Sequence, residues 1–364
     1  MNRPIHGGNL AWAATIAGCP ASLLLDFSAS INPLGPPQSA IAAIQGGLSA
    51  LSAYPDPAYS SLCSALAEFH ELPPEWILPG NGAAELLTWA SWELSQQSLT
   101  YLITPAFGDY WRGLNTFKAN VQRCSLLPPG EDNFLTSLPE LFAASIPKEQ
   151  QQNLKSAGLL LNNPHNPTGK LFSVAEILPY LEQFGLVVVD EAFMDFLLPE
   201  AQESLIASVQ DYPNLVILRS LTKFYSLPGL RLGYAIAHPN RLQQWQQWRD
   251  PWPVNILAAM AGEAVIQDTA FQQQTWEWLS TAKSSLFQGI ASLEGLHPLE
   301  SAANFLLVRS EISSLQLQER LLKRYRILIR DCLSFPELGD RYFRIAVRTE
   351  TNNQRLLEGL SSIL

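Results

Sequence analysis

Five short apolar runs recur through the middle of the chain, and each gives way at once to polar or turn-forming residues. They are Leu99-Thr100-Tyr101-Leu102-Ile103-Thr104, Ala157-Gly158-Leu159-Leu160-Leu161-Asn162-Asn163, Gly185-Leu186-Val187-Val188-Val189, Leu215-Val216-Ile217-Leu218 and the run from Leu232 to Ala237. Unbroken apolarity over so short a span, rather than alternation, marks a strand buried on both faces. Helical segments separate the runs, which implies an α/β fold with a mostly parallel sheet covered on both sides. Ligands bind such sheets outside the carboxyl ends of the strands. The polar candidates fall there: Pro164-His165-Asn166-Pro167-Thr168-Gly169 after the second run, Asp190-Glu191-Ala192-Phe193 after the third, and Ser220-Leu221-Thr222-Lys223 after the fourth.

A chain of 364 residues can bury a large core, and its 47% hydrophobic content contains no low-complexity tract. The net charge of -10 argues against a nucleic-acid or anionic-membrane partner, so any anion site must be built from a few local arginines. Cys19, Cys63, Cys124 and Cys332 form no close pair, which speaks against a metal site and suits a reducing compartment. No run approaches the roughly 20 apolar residues of a membrane span, and the opening Arg3-Pro4-Ile5-His6-Gly7-Gly8-Asn9 lacks the apolar core of a signal peptide. A soluble cytoplasmic protein is expected.

The stretch Ser220-Leu221-Thr222-Lys223, followed by Arg231-Leu232-Gly233-Tyr234, combines two hydroxyls, a lysine and an arginine. Hydroxyls and a guanidinium suit a phosphate. The lysine can form a Schiff base with an aldehyde. An aldehyde that carries a phosphate is pyridoxal phosphate. The other partners that this cofactor needs are present. Gly80-Asn81-Gly82-Ala83 opens a helix whose free N–H groups can cradle the phosphate. Asp190 can face the ring nitrogen and Asn166 the phenolic oxygen, while Phe107 either covers the ring or packs in the core. His6, in its glycine-flanked arm, reads by itself as a solvated residue.

In order along the chain, Gly82-Ala83, Pro105-Ala106-Phe107, Asn166-Pro167-Thr168-Gly169, Asp190-Glu191-Ala192-Phe193, Ser220-Leu221-Thr222-Lys223 and Arg231-Leu232-Gly233-Tyr234 resemble the class I/II aminotransferases, a pyridoxal-phosphate-dependent fold-type I family. Within it, the arm His6-Gly7-Gly8-Asn9, the segment Asp26 to Gly35, Tyr54-Pro55-Asp56 and the tail runs ending at Arg330 and Ala346 resemble the L-threonine-O-3-phosphate decarboxylases of cobalamin biosynthesis. Those are close relatives of the histidinol-phosphate aminotransferases. The resemblance implies a large cofactor-binding domain over 46–254, a smaller α+β domain over 255–364, and an arm over 1–45 that joins the smaller one. It implies that Lys223 holds the cofactor covalently, with Gly82, Ala83, Ser220, Thr222 and Arg231 on its phosphate. Arg330 and Arg344, with His6 and Asn32, would hold a small phosphorylated amino-acid substrate. Tyr54 would reach the cofactor of a neighbouring subunit, which makes a homodimer with shared sites. Decarboxylation is the expected reaction and transamination the alternative. Two positions depart from the relatives that transaminate: Phe193 stands where a tyrosine is usual, and His165 where an asparagine is usual.

Overall fold

The computed structural model describes residues 3–131, 133–149 and 151–364, so Met1 and Asn2 of the arm lie outside the described residues. In chain order the strands are β1 (Leu25–Asp26), β2 (Ile77–Asn81), β3 (Leu99–Thr104), β4 (Val121–Ser125), β5 (Ala157–Asn162), β6 (Leu186–Asp190), β7 (Leu215–Ser220) and β8 (Leu232–Ala237). They continue with β9 (Leu296–Pro298), β10 (Phe305–Ser310), β11 (Ile327–Leu328), β12 (Arg330–Asp331) and β13 (Tyr342–Ala346).

The main sheet has the order β2-β8-β7-β6-β5-β3-β4. β8 runs antiparallel to both its neighbours, and every other adjacent pair is parallel. β5 to β8 are buried along their whole length. The two faces feed two cores. Leu160, Val188 and Leu218 pack with Leu86, Leu87 and Ala90 of the helix Ala83–Ser95. Val187, Val189 and Ile217 pack into the larger cluster with Ile177, Leu181 and Phe184. With both faces covered, the polar residues of β5, β6 and β7 are confined to their carboxyl ends, and those parallel ends form one rim.

A smaller antiparallel sheet, β12-β13-β10-β9, holds the C-terminal part. The N-terminal segment is laced to it: β1 pairs parallel with β11, and the Ala346 N–H donates to Phe27 O at 2.8 Å. Several links tie this part to the main sheet's rim. The Ala302 N–H donates to Gly169 O at 2.7 Å. Trp276 Nε1 donates to Asp195 O at 2.9 Å. Gly169, at φ +77°, lies so close to Ser301 that an added Cβ would stand 2.1 Å from its Oγ. Only glycine fits both the backbone angle and the gap.

The C-terminal part begins with two helices, Ile256–Ile266 and Thr269–Ala291, with Asp268 capping the second through the Phe271 N–H at 3.0 Å. Two elements differ from the reading of the sequence. The run from Arg326 to Arg330 is not one strand. It breaks at Ile329, so that β11 joins β1 while β12 joins β13. The stretch from Ile77 to Asn81 is a strand, and the helix begins only after Gly82.

Candidate active site

β5, β6 and β7 end side by side, and their last residues are Asn162, Asp190 and Ser220. Asp190 accepts the Tyr110 hydroxyl on Oδ2 at 2.7 Å and the Ala192 N–H on Oδ1 at 2.9 Å. It has no ion-pair partner among the described residues. A carboxylate this buried is costly unless a cation or several donors meet it. The next residue, Glu191, serves another purpose. Together with Asp195 it grips the buried Arg219, at 3.0 and 2.5 Å, which braces β6 against β7 beneath the rim. Asn162 donates to Asp190 O at 2.6 Å and accepts the Asn166 N–H at 2.6 Å, so the loop bearing Asn166 is fixed relative to Asp190.

Lys223 follows Ser220 in a one-turn helix, Leu221–Phe224, and Ser220 Oγ accepts the Thr222 N–H at 3.4 Å. The Lys223 amine lies 4.9 Å from the centre of the Phe193 ring. It makes no hydrogen bond among the described residues. Burial pushes its pKa below the ordinary lysine range, the nearby Arg344 and Arg231 act in the same direction, and Asp190 opposes them. More of the amine is therefore neutral and nucleophilic than for a surface lysine.

Beside it, antiparallel pairing of β8 with β7 and β2 brings Arg231, Ser220 and Gly82 to one corner. Gly82 has φ +73°, and an added Cβ would stand 2.5 Å from Arg231 Nη2. Arg231 is itself left-handed at φ 60°. A non-glycine residue held there stores strain, which is characteristic of functional sites. The corner joins a guanidinium to the N-terminus of the helix Ala83–Ser95, an arrangement suited to a phosphate.

Across from the rim, β12 and β13 set Arg330 directly opposite Arg344. Like charges in facing strand positions repel. Burial, reinforced by Arg330, pulls the Arg344 guanidinium down to about 10. Arg344 donates to Asn166 Oδ1 and to Ser28 O, the latter at 3.2 Å, and lies 4.9 Å from the Phe305 ring centre. Arg330 donates to Ser334 Oγ at 2.6 Å and to Ile5 O of the arm. Two buried guanidiniums side by side, with no carboxylate bridging them among the described residues, are an arrangement suited to anions. The arm covers it: Arg3 pairs with Asp331 at 3.1 Å, and the His6 ring lies 5.4 Å from Phe107, which starts the helix Gly108–Thr116.

Two expected residues sit apart. Tyr54 is 77% exposed and stacks on Trp252 at 4.3 Å, with no contact to the other candidates. Asn32 is buried, but it donates to Phe224 O and Thr275 Oγ1, both at 2.9 Å, and accepts the Leu34 N–H at 3.0 Å. Its side chain is spent on the fold and steadies the lysine turn, where its own N–H bonds Lys223 O at 3.0 Å. Sequence reasoning missed Tyr110. Its position one helical turn after Phe107 gives no hint of a partner at 190.

His165 is fully enclosed and shares a 2.8 Å hydrogen bond with Thr168 Oγ1. Burial, with Lys170 nearby, pulls its pKa from 6.5 to about 3. The unfolded chain therefore binds this proton as pH falls below 6.5, and the folded chain does not. The stability due to neutral His165 is complete above pH 6.5 and is lost on descending toward pH 3. Its slope is about 1.4 kcal/mol per pH unit. Urea unfolding at a series of pH values should show His165→Asn less acid-sensitive than the parent by that slope. Parallel curves would place the titrating group elsewhere.

The aminotransferase class I and II family profile matches residues 23–360. The chain is 38% identical to a threonine-phosphate decarboxylase from Salmonella typhimurium, over 99% of this chain and 96% of that protein. It is 33% identical to a histidinol-phosphate aminotransferase from Symbiobacterium thermophilum, over 94% of this chain and 91% of the other. Its fold superimposes with a TM-score of 0.83 on the histidinol-phosphate aminotransferase of Sinorhizobium meliloti, solved in complex with pyridoxal-5'-phosphate, at 21% identity over 98% of this chain and 94% of that one. Rim, lysine turn, glycine-led helix and near full-length likeness agree: the chain belongs to the class I and II aminotransferase family.

Proposed function

We propose that the protein is a pyridoxal-phosphate-dependent decarboxylase that converts L-threonine O-3-phosphate to (R)-1-amino-2-propanol O-2-phosphate and CO2, in cobalamin biosynthesis. The residues at the rim fit the cofactor. Among the described residues a buried carboxylate stands without an ion pair and an amine without a hydrogen-bond partner, and a glycine leaves room only for an arginine beside a helix N-terminus. When bound, pyridoxal phosphate supplies an electron sink for the pair left at the substrate's α-carbon. Lys223 would bind it covalently. Asp190 would hold a proton at the ring nitrogen and Asn166 would face the phenolic oxygen. Phe107 would cover the ring, and Ser220, Thr222, Arg231 and the Gly82–Ala83 backbone would take the phosphate.

The observation that carries the substrate assignment is the facing pair Arg330 and Arg344. A molecule with both a phosphate and a carboxylate needs two cationic holds, and guanidiniums grip such oxygens bidentately. Arg344, bonded to Asn166, would hold the carboxylate, and Arg330 with His6 the phosphate. Which bond breaks depends on which one these arginines set perpendicular to the cofactor plane, an orientation effect of several kcal/mol. Lys223 Nζ would then deliver to the α-carbon the proton that replaces CO2.

The arm over 1–45 and the region 255–364 would act as one small domain that covers the 46–254 domain. The exposed Leu48, Leu51, Tyr54 and Trp252 would form part of a homodimer interface, with Tyr54 reaching the partner's cofactor phosphate. No helix among the described residues is long and apolar enough to cross a membrane, and a cytoplasmic location accords with the biosynthetic role. A substrate panel tests the assignment. Threonine phosphate should yield the amino-alcohol phosphate, and free threonine almost none. Histidinol phosphate with 2-oxoglutarate should yield no glutamate. Glutamate from that last mixture, with no amine from the first, would make the protein an aminotransferase.

A further inference from the structure

The helix Gly108–Thr116 carries Tyr110 one turn after Phe107. Tyr110 is 2% exposed and buries its ring against the edge of Phe107, with centroids 5.7 Å apart. Its hydroxyl spans to β6 and donates to Asp190 Oδ2 at 2.7 Å. Asp190 thus has one strong donor from a side chain and one from the Ala192 backbone, and no ion pair within 4.0 Å among the described residues. The phenol cannot supply a negative charge of its own: burial, and then the Asp190 charge, push its pKa well above the ordinary value, so it remains a donor. A carboxylate fixed by two donors cannot rotate. Without the phenol it would keep only the Ala192 N–H and be free to turn.

We propose that Tyr110 is a positioning residue for the cofactor: its hydroxyl fixes the direction of the Asp190 carboxylate that meets the ring nitrogen, while its ring supports Phe107. This rests on the reading that Asp190 pairs with that nitrogen. Two groups on opposite sides of the site, the counter-charge and the covering ring, are then set by one side chain. The backbone alone could not do this, because residues 107 and 190 lie on separate elements.

The test is a double-mutant cycle on the full chain, stripped of cofactor and titrated with pyridoxal phosphate. Tyr110→Phe should weaken cofactor binding about tenfold, the share of a charge-assisted hydrogen bond. The melting temperature of the cofactor-free protein should stay close to that of the parent. In an Asp190→Asn background, Tyr110→Phe should have almost no further effect on binding. An equal loss in both backgrounds, or none in either, would overturn the role of Tyr110. If Asp190→Asn alone leaves affinity and the bound cofactor's spectrum unchanged, the underlying reading of Asp190 fails first, and the inference fails with it. Should Tyr110→Phe not fold, 3-fluorotyrosine at position 110 keeps the shape and strengthens the donor. The ring-nitrogen NMR shift of bound 15N-labelled cofactor should then move, and an unmoved shift would refute the link.

Discussion

Lys223→Ala is expected to abolish turnover, by about four orders of magnitude or more, and to leave the fold intact. On the proposed reading the side chain serves chemistry rather than stability. Its amine is buried, lies 4.9 Å from the Phe193 ring centre, and makes no hydrogen bond among the described residues. A buried amine without a hydrogen-bond partner is unfavourable for folding, so deleting it costs little beyond the methylenes lost. The same surroundings depress its pKa, through burial above all, and so favour the neutral nucleophile. Alanine has neither the nucleophile nor a group to return a proton to the α-carbon. Steady-state kinetics and a thermal melt of the same preparation check both halves. Near-normal turnover in the variant would remove Lys223 from the mechanism. A collapse of the melting temperature would show that the lysine is structural.

Asp190→Asn lowers the rate by about a hundredfold to a thousandfold, comparable to the loss of one electrostatic contact in other active sites. Asparagine keeps the shape and can still accept the Ala192 N–H through its oxygen. It lacks the charge that would hold a proton on the ring nitrogen, so the electron sink would weaken although the proposed phosphate contacts would still hold the cofactor. The variant should therefore bind cofactor and turn over slowly, and the deficit should lie in kcat rather than KM. A change confined to KM would assign Asp190 to substrate binding instead.

The central strands were legible because both their faces are buried: Val187, Val188 and Val189 leave no room for a polar residue. The two edge strands were not. β2 contains Pro79 and Gly80, which depress strand propensity and are tolerated at a sheet edge where only β8 pairs with them. β4 reads Val121-Gln122-Arg123-Cys124-Ser125, and its part-exposed face breaks the apolar run. At the site, residues whose chemistry is unusual could be picked out by type and by place after a strand: Asp190, Lys223, Arg231. Residues that matter through a distant partner could not. Nothing local says that Arg330 will face Arg344, because that depends on the break at Ile329 and on the register of β12 with β13. Nothing local says that the Asn32 amide will be consumed by Phe224 and Thr275 rather than left for a ligand.

On the proposed reading, the arginine pair presents a carboxylate for removal rather than a hydrogen. The most direct measurement is the number of CO2 molecules released per protein chain from carboxyl-labelled threonine phosphate, with pyridoxal phosphate bound and no keto acid present. Decarboxylation closes its own cycle, so the count should climb far past one and continue until the substrate is exhausted. Transamination would stall after a single half-reaction. A protein that consumes at most one substrate per chain and releases no labelled CO2, then resumes on addition of 2-oxoglutarate, would contradict the assignment.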